Sequence, residues 1–401
     1  MSIETAAPTR SLYVHVPFCA HKCEYCAFYS EPSRGETIQR YVDALVREIE
    51  LVAPDLKPET VFFGGGTPSL LSMRQWEKIL DTMAQAGLLG AAEWTIECNP
   101  ATVSEDKARL WRSFGVNRVS MGVQSFDESL LEKLGRVHTR EMAFKSYALL
   151  RHAGFENVNL DLMFAIPGQT LEMWRSTLDQ ALALRSEHLS SYEVIYEEDT
   201  PLYHQLQAGQ FSVDEDLAST LYDELLARTA AAGFVQYEIA NFARVVPGRP
   251  EVEPGLQTHS DADATLPLRA CRHNVNYWRG GSFYGLGPSA AGYVRGVRTK
   301  NWSNTGLYCE RLEAGKRAIE SAEELPPLRR AGEIAAFGLR MNAGWPLRQF
   351  QQTTGFDLRQ EWTGEIGQLV ARKWAQLDSD RFHLTPQGLR FADAAAELFL
   401  R

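Results

Sequence analysis

The sequence predicts an α/β chain that ends in a small winged-helix-like α+β domain, and three observations predict it. Six short apolar runs alternate with helix-patterned stretches over the first half. Polar or glycine-rich motifs recur where one run after another ends. Past a stretch rich in Pro and Gly, the pattern changes to helices followed by a short strand pair. A length of 401 residues, above the usual size of one domain, agrees with more than one folding unit.

The expected strands are SLYVHV (11–16), TVFFGG (60–65), EWTIEC (93–98), NRVSMGV (117–123), NVNLDLM (157–163) and HLSSYEVI (188–195). Between them, IQRYVDALVREIELV (38–52) and EMAFKSYALLRHAG (141–154) carry apolar residues at helical spacing, the second ending in Gly154, a C-cap residue. Six such units call for a parallel sheet with right-handed crossovers. Six strands suit an open sheet or a partial barrel, and periodicity does not choose between them. The cysteines follow the first strand and GGGTPS (64–69) follows the second. Glu97 ends the third, Gln124 follows the fourth and Asp161 lies in the fifth. Parallel α/β folds bind ligands at the carboxyl ends of their strands, so these features are expected to form one site.

Residues 245–270 are rich in Pro, Gly, Asp and Thr and read as a long exposed loop, after which CRHNVNYWRGGSFYGLGPSA (271–290) returns to aromatic and glycine-rich sequence. From Pro326 the chain turns helical, and residues 377–399 read as a two-stranded wing followed by a helix. The expected division is 1–244, 245–324 and 325–401. Winged helices often bind DNA, but mixed charge without a basic stripe favours a packing role. Likewise 41 basic against 51 acidic residues, a net charge of −10, argues against a general nucleic-acid binder. No basic segment leads into a long apolar one at the N-terminus, and no run of about 18 apolar residues occurs, so a soluble cytoplasmic chain is expected.

Six cysteines are too few for a disulfide scaffold in a chain of this length. Three of them, Cys19, Cys23 and Cys26, cluster with the spacing C-x3-C-x2-C. Tetrahedral zinc competes for such a cluster, but structural zinc sites pair two short cysteine units or add two histidines at finger spacing. His15 and His21 fit no such spacing. An iron–sulfur cubane fits better, because three thiolates leave one iron open to a substrate or cofactor. Cys98, Cys271 and Cys309 read as small buried apolar side chains.

C-x3-C-x2-C with Tyr25 before the last cysteine resembles the signature of radical S-adenosylmethionine (SAM) proteins. YVHVPFC narrows the resemblance to the oxygen-independent coproporphyrinogen III dehydrogenase family and the related HemW-type heme chaperones. It continues through FFGGGTPSLL (62–71), IECNP (96–100), RVSMGVQSFDESLLEKLGRVHT (118–139), NLDLMFAIPGQT (159–170), YEIANFAR (237–244), HNVNYW (273–278) and YGLGPSA (284–290). The resemblance implies a partial (β/α)6 barrel, a [4Fe–4S] cluster on the three cysteines and SAM at its open iron. It places Tyr13, Tyr25, Gly65, Gly66, Thr67, Glu97, Gln124, Arg136 and Asp161 around SAM. Each has a plainer alternative: the glycines a tight turn, Glu97 an exposed carboxylate, Arg136 an (i, i+4) partner of Glu132. Asp161, flanked by apolar residues, needs a partner in any case.

Within that resemblance two tasks diverge. The dehydrogenase pattern has a fourth cysteine two residues after the third, where this chain has Phe28, and a longer N-terminal segment. The chaperone pattern has H-N-x-x-Y-W, here His273, Asn274, Tyr277 and Trp278. A neutral imidazole ligates heme iron well, and Tyr277 and Trp278 could face the porphyrin, although a packed core histidine explains the same residues. The resemblance therefore implies a heme-binding protein that hands heme to an acceptor such as a respiratory-chain hemoprotein. An electron donor for the cluster would be a further partner, and peripheral docking on a membrane is compatible with it. No residue is assigned a catalytic role.

Overall fold

The computed structural model describes residues 7–32, 34–245 and 269–400, so most of the expected 245–270 loop lies outside the described residues. The chain divides into two compact units, one of residues 1–228 with 283–322, the other of 229–282 with 323–401. This partition by contact does not coincide with the partition drawn from composition.

The first unit contains all six expected strands: β1 (Thr9–Val16), β2 (Leu56–Gly65), β3 (Glu93–Cys98), β4 (Arg118–Gln124), β5 (Val158–Phe164) and β6 (His188–Glu193). A seventh strand the sequence reading lacked, β7 (Tyr284–Leu286), adds to the outer edge of β1. All seven are parallel, in the order β7-β1-β2-β3-β4-β5-β6. Because β1 to β6 follow chain order, each right-handed crossover puts its helix on the same face, and the sheet curls around the other. The crossover helices include α1 (Gly35–Val52), α2 (Met73–Gln85), α3 (Glu105–Ser113), α4 (Glu128–Lys133), α5 (Arg140–His152) and α6 (Leu171–Ala183). This is the partial barrel implied by the family resemblance.

Strand alternation decides what each face holds. Val61, Phe63, Ile96, Val119, Met121, Leu160 and Leu162 are buried on the helix side. There Phe63 packs on Trp76 (5.2 Å between ring centroids), which meets Trp111 edge-on (5.5 Å). The alternate positions carry Thr95, Glu97, Arg118, Ser120, Asn159, Asp161, His188 and Ser190, a polar lining for the inner face. The helices begin where the sequence supplies caps: Ser72 and Gln75 form a capping box on α2, and Thr139 and Thr170 cap α5 and α6. Gly154 follows α5 in the left-handed conformation expected of it.

The late segment returns to the first unit through one buried carboxylate. Glu48 of α1 accepts from Gly287 N (2.9 Å), Asn301 Nδ2 (2.9 Å) and Tyr308 Oη (2.8 Å). A buried carboxylate this fully hydrogen-bonded fixes the chain that supplies its donors.

In the second unit an antiparallel hairpin, Phe234–Glu238 with Asn241–Arg244, precedes the short helix Arg272–Trp278. The C-terminal part has the expected winged-helix plan. Strand Trp345–Pro346 pairs with Arg381–Leu384, which pairs with Ala375–Leu377, and three helices lie between. Its core gathers Trp345, Phe350, Trp362, Phe382 and Phe399. Gly338 is required there, since a Cβ would stand 1.9 Å from Trp345 Nε1. Where the sequence suggests one helix after the wing, there are two short ones, Pro386–Leu389 and Ala392–Glu397.

Trp76→Ala empties the centre of the aromatic stack on the helix face. The expected cost is about 3–5 kcal/mol, read as a lower denaturation midpoint with secondary structure retained in buffer.

Candidate cluster and cofactor site

The cysteine loop has almost no regular structure of its own, so its position comes from outside ties. Glu24 N donates to Leu134 O (3.1 Å), and Leu202 N donates to Glu24 O (2.9 Å). The three cysteines are free thiols, partly buried. Each sulfur has a donor directed at it. Thr67 Oγ1 donates to Cys19 Sγ (3.6 Å) and Arg136 Nη1 to Cys23 Sγ (3.4 Å), and the Phe28 amide bonds Cys26. Burial pushes the Cys19 and Cys26 thiols up, and the neighbouring thiolates add to it. Without a cation they stay protonated, and a bound metal would release those protons. Among the described residues, no three His, Cys, Asp or Glu side chains converge as a single metal ion requires. A cubane makes no such demand, because each thiolate takes its own iron. The residues fit a cluster.

At the end of β2 the glycines are set by packing. Gly65 has φ +104°, and a Cβ there would lie 2.4 Å from the His15 ring. A Cβ on Gly66 would lie 2.7 Å from Phe18 O and 2.8 Å from Val16 O. The amides here are engaged within the protein: Gly65 N donates to Glu97 Oε2 (3.1 Å), Gly66 N to Val16 O (2.8 Å) and Thr67 N to Phe18 O (2.8 Å). His15 also orders Tyr13. Its Nε2 faces the Tyr29 carbonyl (2.9 Å), which can only accept, so Nε2 carries the proton and Nδ1 accepts from Tyr13 Oη (3.0 Å).

Glu97 is not a solvated carboxylate. Burial, with the charge of Asp161 adding to it, pushes its pKa up to about 8. Asp161 has the partners it needs: Ser120 Oγ donates to Oδ2 (3.1 Å) and Asn159 Nδ2 to Oδ1 (2.8 Å). Burial still raises its pKa, against the pull of those hydrogen bonds. Asn159 Oδ1 faces His188 Nδ1 (2.6 Å) and accepts from Ser190 Oγ (3.2 Å), while Arg118 donates to Thr95 Oγ1 (3.4 Å). Arg118, Asn159 and His188 belong to this inner layer, and sequence reasoning missed them. The signal for Arg118 and Asn159 was available in the alternation of RVSMGVQ and NLDL, while His188 lies in HLSSYE, where the alternation is lost after Ser190.

Gln124 leaves β4 with φ +65°, just past a register shift against β5 between Gly122 and Gln124. Left-handed backbone at a non-glycine residue is strained, and such strain gathers at functional sites. Arg136 does not sit one helical turn beyond Glu132, because α4 stops at Lys133 and Gly135 turns the chain at φ +69°. Its guanidinium instead joins Cys23 Sγ to Gly122 O (Nη2, 2.7 Å). Burial and the charges of Arg136 and the neighbouring cysteines act on Tyr25, whose hydroxyl ends well above its usual range, burial dominating.

In the second unit His273 and Tyr277 lie one turn apart on the helix Arg272–Trp278. His273 is buried, with Nε2 2.7 Å from Tyr277 Oη. Trp278 lies under the Arg340 guanidinium, 4.8 Å from the ring centroid.

The radical SAM superfamily model matches residues 13–181, and the HemN C-terminal domain model matches 325–391. Proteins named heme chaperone HemW from Lactococcus lactis, Bacillus subtilis and Escherichia coli are each 32% identical to this chain. The alignments cover 97–98% of this chain and 97%, 99% and 98% of theirs. The chain belongs to the HemW family of radical SAM proteins. A solved structure of Escherichia coli coproporphyrinogen III oxidase, HemN, described as a radical SAM enzyme, superposes with a TM-score of 0.80 over 98% of this chain and 90% of that one, at 21% identity. That likeness confirms the fold. Radical SAM membership implies a [4Fe–4S] cluster and SAM, in keeping with the cysteine loop. At the position of the dehydrogenase pattern's fourth cysteine this chain has Phe28, which is 71% exposed.

The elevated Glu97 pKa has a sign that can be checked. A carboxyl whose folded pKa lies above its unfolded value of 4.5 contributes stability that is complete below 4.5 and lost as pH rises through about 8. In metal-free, SAM-free protein, Glu97→Gln should therefore stabilise by roughly 1–2 kcal/mol near pH 9. The gain should shrink towards zero near pH 5, as followed by denaturant titration at both pH values.

Proposed function

We propose that the chain is a heme chaperone that binds heme and passes it to an acceptor hemoprotein, and that it retains a [4Fe–4S] cluster and a SAM site. The observation carrying this reading is full-length kinship, at 32% identity, with proteins named heme chaperones. A respiratory-chain hemoprotein is the acceptor in this reading, and an electron donor serves the cluster. The cytoplasm is the compartment, with peripheral contact to a membrane where the acceptor lies there. No helix is long and apolar enough to cross a membrane among the described residues.

Cys19, Cys23 and Cys26 would hold the cluster. When bound, it supplies an open Lewis-acidic iron for SAM and the electron for reductive cleavage of the sulfonium. With the amides of Gly65, Gly66 and Thr67 engaged internally, the turn and Glu97 have acceptors to offer, which suits the ammonium group of SAM. Gln124, Arg136 and Asp161 would hydrogen-bond the cofactor, Tyr13 would stand beside it and Tyr25 would pack at the adenine.

His273 would ligate heme iron, with Tyr277 and Trp278 facing the porphyrin. For Nε2 to reach iron it must give up Tyr277, so the hydroxyl and the metal compete for one nitrogen. Heme should bind wild type stably and His273→Ala at least about tenfold more weakly. Tyr277→Phe, which removes the competitor, should bind at least as tightly as wild type. Equal heme retention by wild type and His273→Ala would remove His273 from the proposal.

The alternative reading is the oxidative decarboxylation of coproporphyrinogen III. Anaerobically reconstituted protein supplied with SAM, reductant and coproporphyrinogen III should form no protoporphyrinogen IX. Its formation would overturn the chaperone reading. Cys23→Ala should lose the iron and the broad visible absorption of a cluster, and zinc in wild type and variant alike would refute the cluster.

A further inference from the structure

The segment between α4 and α5 presents two buried donors to consecutive carbonyls of β4. Arg136 points inward, Val137 is 46% exposed and His138 points inward again, 2% exposed. Arg136 Nη2 donates to Gly122 O (2.7 Å), and His138 Nε2 stands 3.0 Å from Val123 O. A carbonyl only accepts, so Nε2 carries the proton and the imidazole is in its Nε2–H form. The second lone pair of Val123 O is taken by Ser125 N (2.8 Å). Gln124, the residue with φ +65° at the register shift, follows directly and is spanned by the Ser125 N to Val123 O bond.

A strained conformation of this kind costs about 1–3 kcal/mol and persists only where its surroundings over-determine it. Here the surroundings are identified: the carbonyl before Gln124 is held from both sides, and the one before that is held by an arginine whose other arm reaches Cys23 Sγ. His138 also has to be uncharged to sit there. Burial, with the Arg136 guanidinium adding to it, drives its pKa down to about 3.

We infer that His138 is a positioning residue for the SAM site, acting through the Val123 carbonyl to hold Gln124 in the left-handed turn that presents its amide to the cofactor. This rests on the reading of the site as a SAM site. His138 touches neither the cysteines nor the glycine turn; its hydrogen bond goes to Val123 O, next to Gln124, and the double variant below separates this route from one through Arg136.

The test uses anaerobically reconstituted full-length protein, with SAM as the probe and two readouts. The first is the electron paramagnetic resonance spectrum of the reduced cluster without SAM, which reports on the cluster itself. The second is the SAM concentration needed to perturb that spectrum. His138→Leu, which removes the donor, should leave the SAM-free spectrum unchanged and weaken SAM binding about tenfold. His138→Gln, whose amide reaches as far as Nε2, should stay within about twofold to threefold of wild type. In a Gln124→Ala background, where there is no amide left to position, His138→Leu should add little. If the leucine variant does not fold, His138→Asn, polar but too short, takes its place. SAM affinity in His138→Leu within about twofold of wild type overturns the inference, and so does a full further loss in the Gln124→Ala background. Failure of wild type itself to bind SAM would overturn the site, and this inference with it.

Discussion

The structure of the first unit depends on how a short, nearly structureless loop is made to hold three thiols in place. Residues 19–26 contribute little regular hydrogen bonding, and their fixity comes from two backbone bonds through Glu24, to Leu134 and Leu202. Leu134 closes the short helix α4 that follows β4, and Leu202 lies in the first turn of the helix that follows β6, on the side where parallel α/β folds place ligands. Donors from Thr67, Arg136 and the Phe28 amide order the thiols as acceptors, which is how metal-bound sulfur is tuned. The rest of the barrel reads as support for this arrangement.

The inner face provides the second half of the support. Charged and amide side chains at alternate strand positions face a space that apolar side chains would otherwise fill, and each costs free energy unless partnered. Asp161 is partnered within one layer by Ser120 and Asn159, and Asn159 in turn by His188 and Ser190. Glu97 has one amide donor and remains hard to ionise. The layer is thus complete around Asp161 and incomplete around Glu97. The glycines beside it tolerate no side chain for a separate reason: the neighbouring space belongs to His15 and to the backbone of Val16 and Phe18.

Much of this was legible in the sequence. All six long strands, the left-handed Gly154, the wing and the convergence of motifs on one rim follow from periodicity and turn chemistry. Three kinds of feature did not. β7 is three residues long, too short to show a period, and Gly287, just past it, is tied to Glu48 of α1. Arg118, Asn159 and His188 alternate with apolar residues in their own strands, but that they meet depends on the order β4-β5-β6, which no single run shows. His138 and Arg136 act on main-chain atoms of another element, and such contacts leave no spacing to read. The H-N-x-x-Y-W motif reads as a unit and lies on one helix, but the hydrogen bond between its histidine and tyrosine follows from rotamers the sequence does not specify.

The central claim is that three thiolates hold an iron–sulfur cubane with one iron left for a small-molecule ligand. Mössbauer spectroscopy of protein reconstituted with enriched iron, recorded with and without SAM, tests it directly. The account predicts a cubane in which a single iron site changes its isomer shift and quadrupole splitting when SAM is added, the other three remaining as they were. Iron sites that all stay unchanged by saturating SAM, or protein that assembles no cubane under strict exclusion of oxygen, would contradict it.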